Sequence, residues 1–361
     1  MPTRAEILAR AAQLRAGFQA QGAVPVETPI LQPAEVLLDL YGEDIRGRAY
    51  VTSDALRGEQ VLRPDFTVPV VQMHMAQGAE PARYTYSGEV FRRQEHDDER
   101  ANEYVQVGYE VFDRANPAQA DAEVFSLVSQ ALAGLPLRAA TGDIGILMAA
   151  VRGLDTSDRR KAALMRHLWR PRRFRVLLDR YAGRTPVPAT RAALLAAKDP
   201  LDHNAPQIGR RSHADVLARI EALRADAATA PISEREMVGL DTLLAVRETL
   251  PFALEQLRDV AVDLPQIQPA LDLLNARIDA LAARGVDVDN LDFEASFGRT
   301  SMEYYDGFVF GFYAEGRADL PPVASGGRYD ALTRALGGGA EIPAVGGVLR
   351  PGLMLELEAG A

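Results

Sequence analysis

Two stretches, Arg83-Tyr84-Thr85-Tyr86-Ser87-Gly88-Glu89-Val90-Phe91-Arg92-Arg93-Gln94 and Gln106-Val107-Gly108-Tyr109-Glu110-Val111-Phe112, carry the reading of this chain. Residues 83–91, rich in aromatic and β-branched side chains, read as a strand. From Tyr104 onward, Tyr104, Gln106, Gly108, Glu110 and Phe112 alternate with Val105, Val107, Tyr109 and Val111. Large side chains on both faces suit a strand lying between two layers. Glu110 stands out there, because a carboxylate in an apolar strand needs a partner or a ligand.

Working outward, residues 3–21 place Ile7, Leu8, Ala11, Leu14 and Phe18 at helical spacing, and Gly22 closes the helix. Thr3 reads as its N-cap, with Glu6 completing a capping box. Residues 24–30, 48–53 and 60–62 read as strands or extended runs, 118–133 as a helix and 142–148 as a further strand. From 158 to 284 alanine, leucine and arginine dominate, broken by prolines, which predicts helices. Strand patterning returns at 291–297, 304–313 and 323–325. The expectation is an α+β fold: one antiparallel sheet built from residues 1–157 and 285–361, flanked by helices and interrupted by a helical insertion over 158–284.

Composition narrows the function. The 361 residues, 47% hydrophobic and 25% charged, describe an ordinary globular chain with material for two or three units. A net charge of -10 gives no footprint for a polyanion. Zero cysteines exclude disulfides, thiolate metal sites and cysteine nucleophiles, and the five histidines show no ligand spacing. No metal or cofactor is expected. No stretch reaches the ~20 apolar residues of a membrane span, and no signal core opens the chain, so a cytoplasmic protein is expected.

Three motifs recur in order: Leu62-Arg63-Pro64-Asp65-Phe66-Thr67, the pair of strands quoted above, and Met302-Glu303-Tyr304-Tyr305-Asp306-Gly307 with Ser325-Gly326-Gly327-Arg328-Tyr329-Asp330. Together, over about residues 5 to 350, they resemble histidyl-tRNA synthetase, a class II aminoacyl-tRNA synthetase. The resemblance implies that Phe91-Arg92 is class II motif 2, whose arginine holds the α-phosphate of ATP, and that Arg100 belongs to the same phosphate-binding set. It implies that Thr28-Pro29-Ile30 is motif 1, which makes the dimer interface. It also implies a histidine pocket: Asp65 and Thr67 on the α-amino group, Gln106 and Glu110 on the floor with Glu110 facing the imidazole, Tyr305 and Tyr329 beside the ring. The residues by themselves leave a second reading open. Gln106 and Glu110 can share a buried strand face with polar partners, and the tyrosines can be core.

The pattern then breaks where adenylation needs cations. The family places an arginine where this chain has Thr300, and the neighbouring Arg299, on a strand, would point to the opposite face. The motif 3 arginine is replaced, over 344–353, by Arg350 only if a gap is allowed, and Pro351 is expected to disturb the helix start. The loop Gln94-Glu95-His96-Asp97-Asp98-Glu99 carries four acids where a synthetase approaches the acceptor stem. The chain stops eleven residues after Arg350, so no anticodon-binding domain and no tRNA partner are expected.

A retained amino-acid pocket beside an eroded adenylation site resembles the regulatory subunits of ATP phosphoribosyltransferase, paralogues of the synthetase in histidine biosynthesis. That resemblance implies a subunit without aminoacylation activity, a hetero-oligomer with a short-form catalytic subunit, and feedback inhibition by histidine. An active adenylate-forming ligase, or a histidine-binding module with another partner, are the alternatives. The basic run Arg159, Arg160, Lys161, Arg166, Arg170, Arg172, Arg173, Arg175 reads either as a solvated helix face or as an interface for an acidic surface or phosphorylated ligand, with Trp169 as anchor or core.

Overall fold

The computed structural model describes residues 2–35, 47–93, 100–201, 208–299 and 304–360. Helix α1 (Arg4–Ala20) leads through β1 (Val24–Pro25) and β2 (Leu31–Pro33) to the hairpin β3 (Val51–Asp54) and β4 (Gly58–Leu62). Helix α2 (Thr67–Gln77), β5 (Ala82–Phe91), β6 (Glu103–Phe112), α3 (Pro117–Ala131), β7 (Leu137–Asp143) and α4 (Ile144–Gly153) follow. A helical run then holds α5 (Asp158–Arg166), α6 (Pro171–Tyr181), α7 (Ala189–Ala196), α8 (His213–Ala228), α9 (Glu234–Ala245), a short β8 (Arg247–Thr249), α10 (Leu250–Asp263) and α11 (Gln268–Ala283). The chain returns through β9 (Asp292–Glu294), β10 (Phe308–Ala314), β11 (Ala324–Arg328), α12 (Asp330–Leu336), β12 (Ala344–Leu349) and α13 (Pro351–Gly360).

Among the described residues nine strands form one sheet in the order β1-β5-β6-β12-β11-β10-β7-β9-β8. It is parallel at β1/β5 and β7/β9 and antiparallel at every other pairing, so the fold is α+β. Strands β2, β4 and β3 make a separate antiparallel ribbon. The centre of the sheet is read from alternation. The Tyr109 ring meets Phe18 of α1, with ring centroids 5.1 Å apart, and its hydroxyl meets Glu123 of α3. Glu110, one residue on, faces the other way. Helices thus cover one face of β6, and the site occupies the other.

Local chemistry sets the elements. The Thr3 hydroxyl accepts from the Glu6 N–H while Glu6 accepts from the Thr3 N–H, the expected capping box of α1. The strand expected at 142–148 is corrected: β7 ends at Asp143, whose side chain accepts from the Gly145 N–H and caps α4. Ile144, Ile146, Leu147 and Met148 are all buried, and a short apolar run does not reveal by periodicity whether it is strand or buried helix. The helical run over 158–284 is tied to the core at its end, where β8 joins the sheet edge and α11 packs along α3. Among the described residues no helix is long and apolar enough to cross a membrane.

Candidate functional site

Asp65 lies in the turn before α2, where one carboxylate oxygen accepts from the Thr67 N–H at 3.1 Å and starts the helix. Its other oxygen lies 3.8 Å from the Arg92 guanidinium. Arg92 leaves the end of β5, and its Nε donates to the Pro64 carbonyl at 2.7 Å, which pins the turn to the sheet. Asp65, Thr67, Arg92, Gln106, Tyr304, Tyr305, Ser325, Val348 and Arg350 surround one cavity of about 320 Å³ counting its open mouth.

Glu110 sits behind this cavity, not in its wall. Its carboxylate accepts from Thr67 Oγ1 at 3.2 Å and Tyr86 Oη at 2.7 Å on one oxygen, and from the Tyr329 hydroxyl on the other. Burial pushes its pKa up to about 7, against the pull of the three hydroxyls. Two glycines make the room. A Cβ on Gly346, the residue paired with Glu110 on β12, would lie 1.5 Å from a Glu110 oxygen. A Cβ on Gly108 would lie 2.1 Å from the Tyr86 ring. Phe66 stacks on that ring with centroids 4.3 Å apart, which fixes its aim. Tyr305 and Tyr329 both meet Tyr304 edge to face, and burial raises both of their phenol pKa values.

Of the six residues expected in a histidine pocket, Asp65, Thr67, Gln106 and Tyr305 line the cavity. Glu110 and Tyr329 stand behind Thr67 as a buried hydroxyl–carboxylate cluster. Of the two arginines expected to bind phosphate, Arg92 lines the cavity, whereas Arg100, which donates to the Asp319 carbonyl, is not among the lining residues. Sequence reasoning missed Tyr86 and Tyr304. The signal for Tyr86 was Gly108, directly paired with it across β5 and β6, where an absent side chain leaves space for a large neighbour.

Two expectations about the missing cations are corrected. Arg299 is not on a strand; it lies in the turn after β9, its Nε donating to the Leu168 carbonyl at 2.9 Å and its guanidinium 4.8 Å over the Phe174 ring. Desolvation there lowers its pKa to about 10. Pro351 does not disturb a helix; it starts α13, where its missing N–H is one the first turn leaves unpaired anyway. Arg350 consequently stands at the junction of β12 and α13 and faces the cavity. Thr300 and the acidic loop of residues 94–99 lie outside the described residues.

The basic run divides. Arg160 is buried on Asp226 and the Thr229 and Ala230 carbonyls, and Arg175 pairs with Asp179 and Asp241. Arg159, Arg166, Arg172 and Arg173 are exposed, and Trp169 packs against the core.

The chain matches the family model described as histidyl-tRNA synthetase over residues 2–225 and 210–351. An ATP phosphoribosyltransferase regulatory subunit of Allorhizobium ampelinum is 33% identical over 355 residues, 91% of this chain and 92% of that one. The protein of that name from Brucella ovis is 31% identical over 357 residues, 92% of this chain and 93% of that one. The crystal structure of an ATP phosphoribosyltransferase regulatory subunit/histidyl-tRNA synthetase from Bacillus halodurans superposes with a TM-score of 0.67 at 23% identity, covering 98% of this chain and 79% of that one. Histidyl-tRNA synthetase from Nostoc gives a TM-score of 0.63 at 17% identity, covering 98% of this chain and 72% of that one. At those identities the two structures establish the class II synthetase-like fold.

Proposed function

The chain belongs to the family of ATP phosphoribosyltransferase regulatory subunits, a branch of the histidyl-tRNA synthetase family, and from that premise we propose that it regulates a short-form catalytic subunit in response to histidine. The observation that carries this reading is a division within one site. Asp65, Thr67, Gln106 and Tyr305, the polar residues an amino acid would need, line one cavity, while Arg299 is engaged with the Leu168 carbonyl and the Phe174 ring. An amino-acid pocket without a complete set of phosphate-facing cations favours sensing over activation. Differential affinity of ~1–3 kcal/mol between two assembly states is enough for control. Self-association through the motif 1-like region at Thr28-Pro29-Ile30 is part of this reading. Val24, Ile30, Leu31 and Val51 are apolar and at least 43% exposed, as an unpaired interface requires.

The test is to mix the chain with a short-form ATP phosphoribosyltransferase and follow that enzyme's rate. The expected result is activity only with both chains present, falling as histidine is added. An unchanged rate in the presence of this chain would sink the reading. Arg92 in the cavity wall favours one competitor, an adenylate-forming ligase. The expected result of ATP–pyrophosphate exchange with histidine is no signal above background, and a sustained rate would favour the ligase.

A further inference from the structure

Among the charged residues that line the cavity, Asp65, Arg92 and Arg350, Arg350 is the one that neither the phosphate-binding set nor the amino-acid set accounts for. Its backbone is fixed, with the N–H donating to the Val323 carbonyl at 2.9 Å and its own carbonyl accepting from Leu353 and Met354 as α13 begins. Its side chain is half-buried and lines the cavity. Among the described residues no hydrogen bond or ion pair reaches its guanidinium, which rests 5.2 Å over the Tyr104 ring. Desolvation, and then the charges of Arg92, Arg100 and Arg48, disfavour its charged form, although Tyr104 offsets part of this. A desolvated guanidinium with no acid against it among the described residues offers a two-pronged donor to a planar anion. The same cavity is lined by Asp65, the wall's own carboxylate.

We propose that Arg350 is the carboxylate anchor of this cavity, binding the α-carboxylate of a free amino acid whose ammonium group sits on Asp65. The site then recognises an intact zwitterion in preference to an amine or an acyl derivative. This rests on the histidine-sensing reading and narrows its ligand. It also gives the lack of activation expected on that reading a physical basis, since a carboxylate clamped by a guanidinium is a poor nucleophile toward a phosphate.

The experiment is calorimetric titration of the full chain with histidine, with histamine, which lacks the carboxylate, and with inorganic phosphate. Wild-type protein, Arg350→Met and Arg350→Lys are compared. The expected result is a preference of about 30-fold for histidine over histamine in the wild type, the scale of one charged hydrogen-bonded pair. In Arg350→Met histidine weakens by that factor while histamine changes less than about threefold, and Arg350→Lys recovers part of the preference. A preference that survives in both variants overturns this inference and leaves the sensing reading intact. Equal loss of both ligands in both variants overturns it too, because Arg350 then merely supports the fold. Arg350-dependent binding of phosphate alone also overturns it. A wild-type chain that binds no histidine sinks the sensing reading and this inference together.

Discussion

Glu110 and Asp121 are both fully buried carboxylates, and they are held by opposite means. Asp121, on α3, accepts from the Arg277 Nε at 2.8 Å and the Arg328 Nη2 at 2.6 Å. Arg277 also reaches Asp143 at 2.8 Å, and Arg328 reaches Asp330 at 3.0 Å. Glu110 accepts from three hydroxyls, those of Thr67, Tyr86 and Tyr329, and among the described residues from no cation. The first arrangement locks α3, α4, α11 and β11 together through compensated charge. The second leaves a carboxylate whose charge is negotiable, next to a cavity. A carboxylate clamped by two arginines cannot turn to a ligand without exposing them as buried, unpaired ions. One held by hydroxyls can change protonation or partner at lower cost.

The comparison breaks most visibly at Arg277. Replacing Arg277 with Met leaves Asp143 with no cation and Asp121 with Arg328 alone, which is expected to cost about 3–5 kcal/mol of stability. Urea denaturation monitored by circular dichroism measures it. A loss below about 1 kcal/mol would show that the charge network is not the lock described.

The pH response sharpens the other side. Glu110 has a folded pKa of about 7 against an ordinary carboxylate value of 4.5, so the folded protein holds a proton that the unfolded chain releases. Its contribution to stability is complete below pH 4.5 and is lost as pH rises to 7, on the order of 3 kcal/mol. Asp306, raised to about 7 by burial and by Asp330, adds a slope of the same sign. The measurement is therefore the difference between wild type and Glu110→Gln in urea midpoint from pH 5 to 8. The wild type is expected to fall more steeply across that interval. Parallel curves would mean that Glu110 stays ionised throughout.

These two regions were unequally legible. The strand bearing Glu110 announces itself, because a carboxylate among Val105, Val107, Tyr109 and Val111 has a short list of explanations. The start of α1 was equally readable, since Thr3 and Glu6 act within one turn. The Arg277 network could not be read, because its bonded partners lie up to 207 positions apart and each looks like an ordinary surface charge. Arg299 was placed on a strand because its neighbours look extended; its actual place is set by Phe174 and Leu168, which only the folded helical run supplies. Arg350 was judged against a helix that Pro351 was expected to spoil, whereas a proline in the first helical position favours the start. Long-range partnership, more than local propensity, is what the chain withholds.

The smallest expected effect isolates a single hydroxyl. Tyr86→Phe keeps the ring stacked on Phe66 and removes the hydroxyl that donates to Glu110 at 2.7 Å. Thr67 still serves the same oxygen, so the expected loss of stability is about 1–2 kcal/mol, less than that of breaking an ion pair. Because the Tyr86 hydroxyl favours the charged carboxylate, its removal is expected to move the folded pKa of Glu110 further above 7. The upper end of the pH window in the urea series then shifts to higher pH, while the lower end, set by the unfolded chain, stays in place. If that upper end does not move, burial alone sets the charge on Glu110. The contrast with Asp121 would then lie in how deeply each acid is buried, and the identity of the donors around Glu110 would not matter.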